Sequence, residues 1–273
     1  MFQRCKPLLG TYVEITIHDS MADEAAFQII EDSFQEVALV HRLMSFQDQR
    51  SELSLLNREA FFRDVEVHPY TYKVLKVASK MHSITLGSFD CSIGHHLQKD
   101  GILPGDVQVT PKANMNAVVL KNPCTVRYQQ RICLDLSGIA KGFAVDCAIN
   151  RLSQAGIQSA VVNAGGDMRV LGEYPEAIWV RNPRNQQSLI YLGSLSNGAI
   201  ATSSIYYSKR INPRTKTGAL INPMKGCAID DEDSYSVIAS SCVIADALTK
   251  ALAIDKNTTA SYLSSHKAIG IIL

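Results

Sequence analysis

The sequence predicts an α+β fold, and the order of its segments is the main reason. Strand-like segments follow one another in runs, and a few long helix-like segments separate these runs, unlike the regular strand–helix alternation of a parallel sheet. The chain has 273 residues, of which 46% are apolar and 19% are charged, so it can bury a sizeable core. We therefore expect one large domain or two closely packed lobes.

Residue periodicity assigns the elements in order. Residues 10–18 alternate between apolar and polar side chains, which predicts a half-buried strand, and a helix follows that ends near Met44. Ser20 and Asp23 have a spacing that resembles a capping box at the start of that helix. The elements expected after it are helices at 51–57 and 69–84, a loop at 97–114, strands at 117–121, 125–129 and 131–136, a helix at 140–154, strands at 159–165, 167–172, 177–182 and 189–195, and a strand, turn and helix at 236–254.

Composition excludes several classes of protein. The 27 basic and 26 acidic residues give a formal charge of +1 without a basic run, so nucleic acid is not an expected partner. The seven cysteines are odd in number and never form C-x-x-C, which argues against a disulfide framework or a zinc knuckle. No apolar run has the length of a membrane span or of a signal-peptide core. We expect a cytoplasmic protein with reduced thiols and no membrane span.

The segment "LDLSGIAKGFAVD" at 134–146 is the strongest local signal for a ligand site. Its strand-like start is followed by a Ser-Gly turn and by a helix with Lys141 in the first turn. Unpaired amides at a helix N-terminus, with a lysine beside them, are typical of phosphate binding. An ordinary strand-to-helix turn explains the segment equally well.

Two glycine-containing segments carry weaker signals. "NAGGD" at 163–167 favours a tight turn over a binding loop, although its glycines also permit close approach of a ligand. In "GSFDCSIGHHL" at 87–97, His95 and His96 are expected to point in different directions, which favours a surface role over a metal pair. No G-x-S-x-G, H-E-x-x-H or kinase motif is present, so those enzyme classes have no support.

The apolar helix at the end of the 236–254 segment carries two charged residues. Asp246 and Lys250 lie one helical turn apart, and this spacing predicts an i,i+4 ion pair on the helix edge. Spacing alone indicates nothing further about them.

Together, eight segments in this order resemble the successive motifs of the FAD:protein FMN transferase family, the ApbE-like flavin transferases. The resemblance covers nearly the whole chain and is far more specific than any one segment. The segments are "PLLGTYVEI", "LMSFQDQRSELSLLN", "GSFDCSIG", "LDLSGIAKGFAVD", "VVNAGGDMRVLG", "GAIATSS", "INPMKG" and "ADALTKAL".

The resemblance implies both an architecture and an activity. The expected fold has mixed, largely antiparallel sheets packed with helices, in two intimate lobes around a nucleotide cleft, with residues 1–273 as a single domain. The expected activity moves FMN from FAD to a threonine or serine hydroxyl of an acceptor protein, with Mg²⁺, and releases AMP. FAD is then a substrate, and the oligomeric state stays open.

The resemblance also implies roles for individual residues. Asp246 and Lys141 are expected to be catalytic, with Lys141 near the phosphates, and the metal is expected on Asp246 and the backbone carbonyl of Ala140. The residues expected to bind the cofactor are Met44, Ser88, Phe89, Asp90, Asp135, Ser137, Lys141, Phe143, Asp167 and Ile221.

The chain departs from the family pattern at four positions. The family places a metal-binding threonine four residues after the aspartate, where this chain has Lys250; the neighbouring Thr249 lies about 100° around the helix. In the segment that matches "H-x-x-D-P-x-T-G", the chain has Ala219, Asn222 and Lys225 instead of histidine, aspartate and threonine. "INPRTKTG" at 211–218 is an alternative match for that segment.

Three functional hypotheses follow from these departures. FMN transfer persists, with a metal held by Asp246, Ala140 and the FAD phosphates. Alternatively, Lys250 occupies the metal position, and the chain binds FAD with reduced or no transfer. In the third, water replaces the acceptor hydroxyl and the chain hydrolyses FAD to FMN and AMP. The retained nucleotide-site motifs favour transfer.

Overall fold

The computed structural model describes residues 1–185, 187–204, 218–256 and 259–273. Its strands are β1 (Phe2–Leu8), β2 (Thr11–Ile17), β3 (Val65–Glu66), β4 (Val118–Lys121), β5 (Thr125–Tyr128), β6 (Ala160–Ala164), β7 (Asp167–Leu171), β8 (Glu176–Arg181), β9 (Leu189–Leu195), β10 (Ala199–Ser204), β11 (Ile221–Asn222), β12 (Cys227–Ala228), β13 (Ser234–Ala239) and β14 (Ile269–Ile272). Its helices are α1 (Asp23–Met44), α2 (Glu52–Glu59), α3 (Pro69–Ile84), α4 (Gly94–Lys99), α5 (Ala140–Gln154), α6 (Cys242–Ile254) and α7 (Thr259–Ser265).

A seven-stranded antiparallel sheet organises the fold. Its strand order is β1-β2-β6-β7-β10-β13-β14. Side chains alternate between the two faces of a strand, and both faces of this sheet are covered. Ala199 and Ala201 of β10 join the large core with the helices, whereas Ile200 between them joins a second cluster with Ile178 and Val180 of β8. Helices therefore cover one face, and the β8–β9 hairpin packs against part of the other.

Helices α1, α5 and α6 form the layer on the main sheet. Helix α5 contacts α1 and α6 as well as β6 and β7, and α6 contacts β10 and β13. Helix α5 is buried along most of its length because it lies between neighbours. A smaller sheet of order β3-β5-β4 lies beside α3, whose residues Val74, Leu75, Ala78 and Met81 are buried. Mixed helices and antiparallel sheets confirm the predicted α+β class.

Most predicted elements are confirmed, with two corrections. Residues 131–136 are not a strand: only Cys133 pairs, in an isolated bridge to Ile93. The adjoining backbone of Leu134 instead exchanges hydrogen bonds with the side-chain amide of Asn57, at 2.7 and 2.9 Å. The Ser20 cap is also wrong, because α1 has Ala22 at its N-cap position without a side-chain cap bond.

The elements not predicted from periodicity are strands β1, β3, β10, β11, β12 and β14 and helices α4 and α7. Within the described part of the chain, none of the helices combines the length and apolar content required to cross a bilayer.

Candidate active site

A cleft of about 660 Å³ lies where the N-terminus of α5, the β6–β7 turn and the hairpin strand β8 meet. This volume is in the range of small-molecule and cofactor sites. Its lining residues come from segments that are far apart in sequence: they lie within 88–93, 135–141, 163–168, 176–183, 200–204 and 219–223, together with Ser234, Lys250 and Ile254.

Lys141 contributes one positive charge to the cleft wall. It lies in the first turn of α5, and its ammonium group forms an ion pair with the buried carboxylate of Asp167, the first residue of β7. The Lys141 side chain remains 33% exposed, so Asp167 holds the ammonium group on its buried side while the other side is accessible from the cleft. Burial opposes its charge, but the Asp167 and Asp246 carboxylates raise the pKa of Lys141 above its usual value.

Lys250 contributes a second positive charge. Its ammonium group pairs with Asp246 Oδ1, which confirms the predicted i,i+4 ion pair. The other carboxylate oxygen, Oδ2, accepts a hydrogen bond from the Gly142 amide at 3.0 Å. Asp246 is fully buried, and burial alone would raise its pKa, but the charges of Lys141 and Lys250 hold the pKa of Asp246 below its usual value.

Asp146 fixes α6 against α5. Its carboxylate accepts hydrogen bonds from the amides of Cys242 and Val243, at 3.0 and 2.9 Å, and so caps the N-terminus of α6. Ser241, at the N-cap position, makes no side-chain cap bond. Arg169 of β7 also donates to Asp146, at 2.7 Å. A carboxylate on one helix therefore sets the position of the next helix, which carries Asp246 and Lys250.

Thr249 faces away from the Asp246 carboxylate. Its hydroxyl donates to the backbone carbonyl of Asp246 at 2.7 Å and contacts the Ser203 hydroxyl, also at 2.7 Å. This placement agrees with the 100° offset expected from helical geometry. Thr249 thus links α6 to the end of β10.

The 135–138 turn presents a buried acid and an exposed hydroxyl. Asp135 accepts hydrogen bonds from the amide and hydroxyl of Ser137, at 3.1 and 2.5 Å. Burial raises the pKa of Asp135, and these hydrogen bonds oppose the rise.

The amides of the following helix are less available than expected for phosphate binding. Ala140 N donates to the Leu136 carbonyl at 2.8 Å, and Gly142 N is taken by Asp246. These two amides are therefore not free for a phosphate, whereas the side chains of Lys141 and Lys250 line the cleft.

The 88–92 turn is braced by a buried acid–histidine pair. Asp90 accepts hydrogen bonds from the amide and hydroxyl of Ser92, both at 2.6 Å, and its Oδ2 lies 3.2 Å from His82 Nδ1. Burial opposes the charged ring, yet the hydrogen bond and charge of Asp90 raise the pKa of His82. Against the effect of burial, His82 and Ser92 lower the pKa of Asp90.

The "NAGGD" segment is a tight turn that also lines the cleft. Gly165 and Gly166 connect β6 to β7 with φ of 65° and 104°, which a side chain rarely adopts. The Asn163 side chain closes the turn by accepting from Gly166 N at 2.9 Å. The predicted turn is confirmed, and Asn163, Gly165 and Gly166 are part of the cleft wall as well.

The residues predicted for catalysis, cofactor binding and metal binding divide into three groups. Those at the cleft surface are Ser88, Phe89, Asp90, Asp135, Ser137, Lys141 and Ile221. Asp167 and Asp246 lie behind the wall as buried partners of its lysines, and Ala140 is also buried. Met44 and Phe143 belong to the hydrophobic core and are not brought to the cleft. Phe143 instead contacts Tyr70 of α3 edge to face, with ring centroids 5.5 Å apart.

Three other sequence predictions concern residues near the cleft. His95 and His96 do not point apart: their ring centroids are 3.7 Å apart, so that prediction is wrong. Of the four positions that depart from the family pattern, Ala219 lines the cleft. Asn222 instead caps a turn, because its Oδ1 accepts hydrogen bonds from the amides of Met224 and Lys225, both at 3.0 Å. Residues 211–217 of the alternative match "INPRTKTG" lie outside the described residues.

Sequence reasoning missed the apolar wall of the cleft and the helix-capping acid. Met168, Ile178, Val180 and Ile200 lie along the cleft, but in sequence they are ordinary apolar strand residues. Asp146 was visible only as the last residue of "LDLSGIAKGFAVD". A buried aspartate on an apolar helix was the available signal, because such a carboxylate needs donors from elsewhere in the fold.

Comparison with known proteins gives a consistent result. The ApbE family model matches residues 9–273. A relative from Vibrio cholerae named FAD:protein FMN transferase is 26% identical over 265 residues, covering 90% of this chain and 79% of the relative. One of the same name from Rhodobacter capsulatus is 30% identical over 233 residues, covering 74% of this chain and 42% of the relative.

Solved structures agree with the fold. The crystal structure of the ApbE protein from Thermotoga maritima is similar to this chain with a TM-score of 0.81 and 25% identity, covering 99% of this chain and 93% of the other. The flavin transferase ApbE from Vibrio cholerae gives a TM-score of 0.80 at 22% identity, with the same coverage of 99% and 93%.

Proposed function

Because the chain belongs to the ApbE family, we propose that it is an FAD:protein FMN transferase. The observation that carries this proposal is the pair of ammonium groups, Lys141 and Lys250, that the buried Asp167 and Asp246 hold at the wall of a nucleotide-sized cleft. Curated relatives of that name match most of the chain. The donor is FAD, and the acceptor is a threonine or serine hydroxyl of another protein.

The reaction exchanges one phosphorus–oxygen bond for another. The acceptor hydroxyl oxygen bonds to the FMN-side phosphorus of FAD, and the bond from that phosphorus to the bridging oxygen breaks. AMP leaves with the bridging oxygen, and the hydroxyl proton is released. Such a reaction depends mainly on positioning the two reactants and on neutralising charge on the pyrophosphate.

The two lysines supply that positive charge. Each ammonium group has three hydrogen-bond donors, and each donates one hydrogen bond to a buried carboxylate. The remaining donors are available to phosphate oxygens in the cleft. Because the carboxylates fix the ammonium groups before the substrate binds, little reorganisation is needed as charge develops in the transition state.

Apolar and polar parts of the cleft suit the two ends of a dinucleotide. Phe89, Met168, Ile178 and Ile200 form apolar surface for a ring system, and the 135–138 turn brings polar groups to the same cleft. Cofactor sites commonly combine such an apolar wall with a few fixed polar groups. We assign FAD to this cleft on that basis.

The resemblance implies Mg²⁺, but the residues around Asp246 do not fit that ion. Both of its carboxylate oxygens already have donors, Lys250 on Oδ1 and Gly142 on Oδ2. Thr249 turns its hydroxyl to a carbonyl and to Ser203 instead. Mg²⁺ requires near-octahedral oxygen coordination, and an ammonium group has no lone pair to offer. The mechanism described above therefore contains no metal step.

Two further proposals concern the chain as a whole. All seven cysteines are free, which supports residence in a reducing compartment such as the cytoplasm. The family match over residues 9–273 supports a single transferase domain formed by residues 1–273. Cell fractionation with an antibody, and limited proteolysis of the purified chain, test these proposals.

A covalent flavin assay tests the proposed activity. The purified chain is incubated with FAD and a total protein extract from cells of its source, and proteins are separated on a denaturing gel. Transfer predicts a fluorescent flavin band that survives denaturation and requires both the chain and FAD. Release of free FMN and AMP without a band would indicate FAD hydrolysis instead. Bound FAD without turnover would indicate a flavin-binding protein.

A further inference from the structure

We infer that the Lys250 ammonium group serves as the fixed cation of the pyrophosphate site, so that this chain transfers FMN without a divalent metal. The inference rests on the proposed function for its substrate. It concerns one residue in which this chain differs from the pattern it otherwise resembles.

The position of Lys250 is the first argument. Its side chain is one of those that line the cleft and is 20% exposed. It lies across the 135–138 turn: a Cβ on Gly138 would be 3.4 Å from Lys250 Cε. The ammonium group ends on Asp246 Oδ1, the carboxylate that the resemblance assigns to the metal. The cation therefore lies at the wall of the substrate cleft, next to Lys141's helix.

Charge balance is the second argument. Two buried carboxylates, Asp167 and Asp246, face two ammonium groups, Lys141 and Lys250. The four charges already sum to zero. A divalent ion on Asp246 would have to displace the Lys250 ammonium group and, before FAD binds, would place four positive charges beside two carboxylates. Repulsion between these cations in a poorly solvated wall would be large.

The set of protein groups that could act as metal ligands is the third argument. Among residues 1–185, 187–204, 218–256 and 259–273, no group of three or more histidine, cysteine, aspartate or glutamate side chains could hold a metal ion. Asp135 has both oxygens engaged by Ser137. The hydroxyl closest in sequence to Lys250 is Thr249, and it is committed to a carbonyl. Asp246 thus belongs to no three-side-chain metal cluster of the described residues, and both of its own oxygens already accept hydrogen bonds.

Metal binding and metal dependence test the inference separately. Mn²⁺ is the probe, and its free concentration is followed by electron paramagnetic resonance in the metal-free protein without FAD. Wild type is expected to leave the Mn²⁺ signal unchanged. Lys250→Thr is expected to bind one Mn²⁺, and the double variant Lys250→Thr/Asp246→Asn is expected to lose it. Lys121→Thr, which removes an exposed lysine paired with Asp64, serves as the matched control.

Transfer assays supply the second readout. Wild type is expected to have the same rate in EDTA and in Mg²⁺, within about twofold. Lys250→Thr is expected to lose at least tenfold in EDTA and to regain activity with Mg²⁺. Lys250→Arg keeps the charge, so it is expected to remain independent of metal. Circular dichroism melts establish that each variant is folded.

The outcomes separate failure of the inference from failure of the proposed function. Stoichiometric Mn²⁺ binding by wild type that Asp246→Asn abolishes would overturn the inference, whatever the activity. Loss of wild-type transfer in EDTA would overturn it too. If no transfer is seen under any condition, FAD binding decides: affinity measured by flavin fluorescence must be unchanged by EDTA and weakened at least tenfold in metal-free Lys250→Thr. Unchanged affinity in that variant would contradict the role of Lys250.

Discussion

The carboxylate of Asp246 on α6 accepts a hydrogen bond from the backbone amide of Gly142 on α5, at 3.0 Å. This bond joins the two helices that bring the cleft lysines together. Because Lys141 precedes Gly142 and Lys250 lies one turn after Asp246, the spacing of the two cations depends on how closely the helices approach.

Gly142→Ala is expected to force those helices apart. A Cβ at this position would lie 2.3 Å from the Cys242 carbonyl oxygen and 2.8 Å from Asp246 Cβ, and neither atom belongs to a flexible side-chain end. We expect a loss of about 1–3 kcal/mol in the free energy of unfolding, which is typical of overpacking. Urea denaturation measures it. Gly138→Ala is the control, since its nearest contact is 3.4 Å from Lys250 Cε; equal losses in both variants would contradict the helix-contact argument.

Asp146→Asn is expected to loosen the start of α6. The variant keeps one acceptor oxygen but loses the charge that faces Arg169 and two amides of the helix. Caps and charged hydrogen bonds of this kind contribute about 1–3 kcal/mol. We expect a loss of that size by thermal or urea unfolding, together with weaker FAD binding by fluorescence. Asp32→Asn removes a more exposed ion pair with Arg151 and is expected to change stability by much less than Asp146→Asn does.

Much of the fold was predictable because its signals are local. Helix α5 begins at Ala140 and ends at Gln154, as expected from its periodicity and the following Gly156. Strand β10 was missed because "AIATSS" has no clear alternation, and its two neighbours in the sheet determine its conformation. The 131–136 segment looked like a strand, but long-range bonds to Asn57 override its β propensity.

In the candidate site, too, the features set by local sequence were predictable and those set by long-range contacts were not. Lys141 and the i,i+4 pair of Asp246 with Lys250 were predictable from sequence order and helical spacing. The partnership of Asp146 with the start of α6 was not, because it joins residues 96 and 97 positions apart. Apolar residues of β8 gave no functional signal, since burial in a second core and lining of a cleft leave the same pattern in sequence.

Lys141→Met is expected to separate catalysis from stability. Removing the ammonium group leaves the Asp167 carboxylate buried without its ion partner, which costs several kcal/mol. It also removes a charge from the pyrophosphate site, so the transfer rate is expected to fall about 10²–10³-fold. In Lys141→Met/Asp167→Asn, unfolding experiments are expected to show recovered stability. If kcat recovers along with it, Lys141 acts only in folding.

The His82–Asp90 pair predicts a pH-dependent contribution to stability. The pKa of His82 is raised in the folded state, so its contribution is fully present below the unfolded value of about 6.5 and is lost as pH rises through the folded pKa. The pKa of Asp90 is lowered, so its contribution is present above about 3.9 and is lost as pH falls through the folded value. The pair therefore stabilises the fold most at mildly acid pH.

His82→Asn keeps a donor near the position of Nδ1 without the charge. Urea unfolding of wild type and variant at pH 5.5 and pH 8.5 is expected to show a larger stability difference at the lower pH. Asp90→Asn is also expected to lower stability more at pH 5.5 than at pH 8.5, because it removes the carboxylate that raises the pKa of His82. A difference that is equal at both pH values would mean that the histidine is neutral in the folded protein.

Isotope tracing of FAD is the most direct test of the central claim that the acceptor hydroxyl attacks the FMN-side phosphorus. FAD is prepared with ³²P in either the FMN-side or the AMP-side phosphate, and each form is incubated with the chain and the protein extract. The account predicts that FMN-side label becomes covalently bound to protein, on threonine or serine by mass spectrometry, while AMP-side label leaves as AMP. Protein-bound AMP-side label, or FMN-side label recovered only as free FMN, would contradict it.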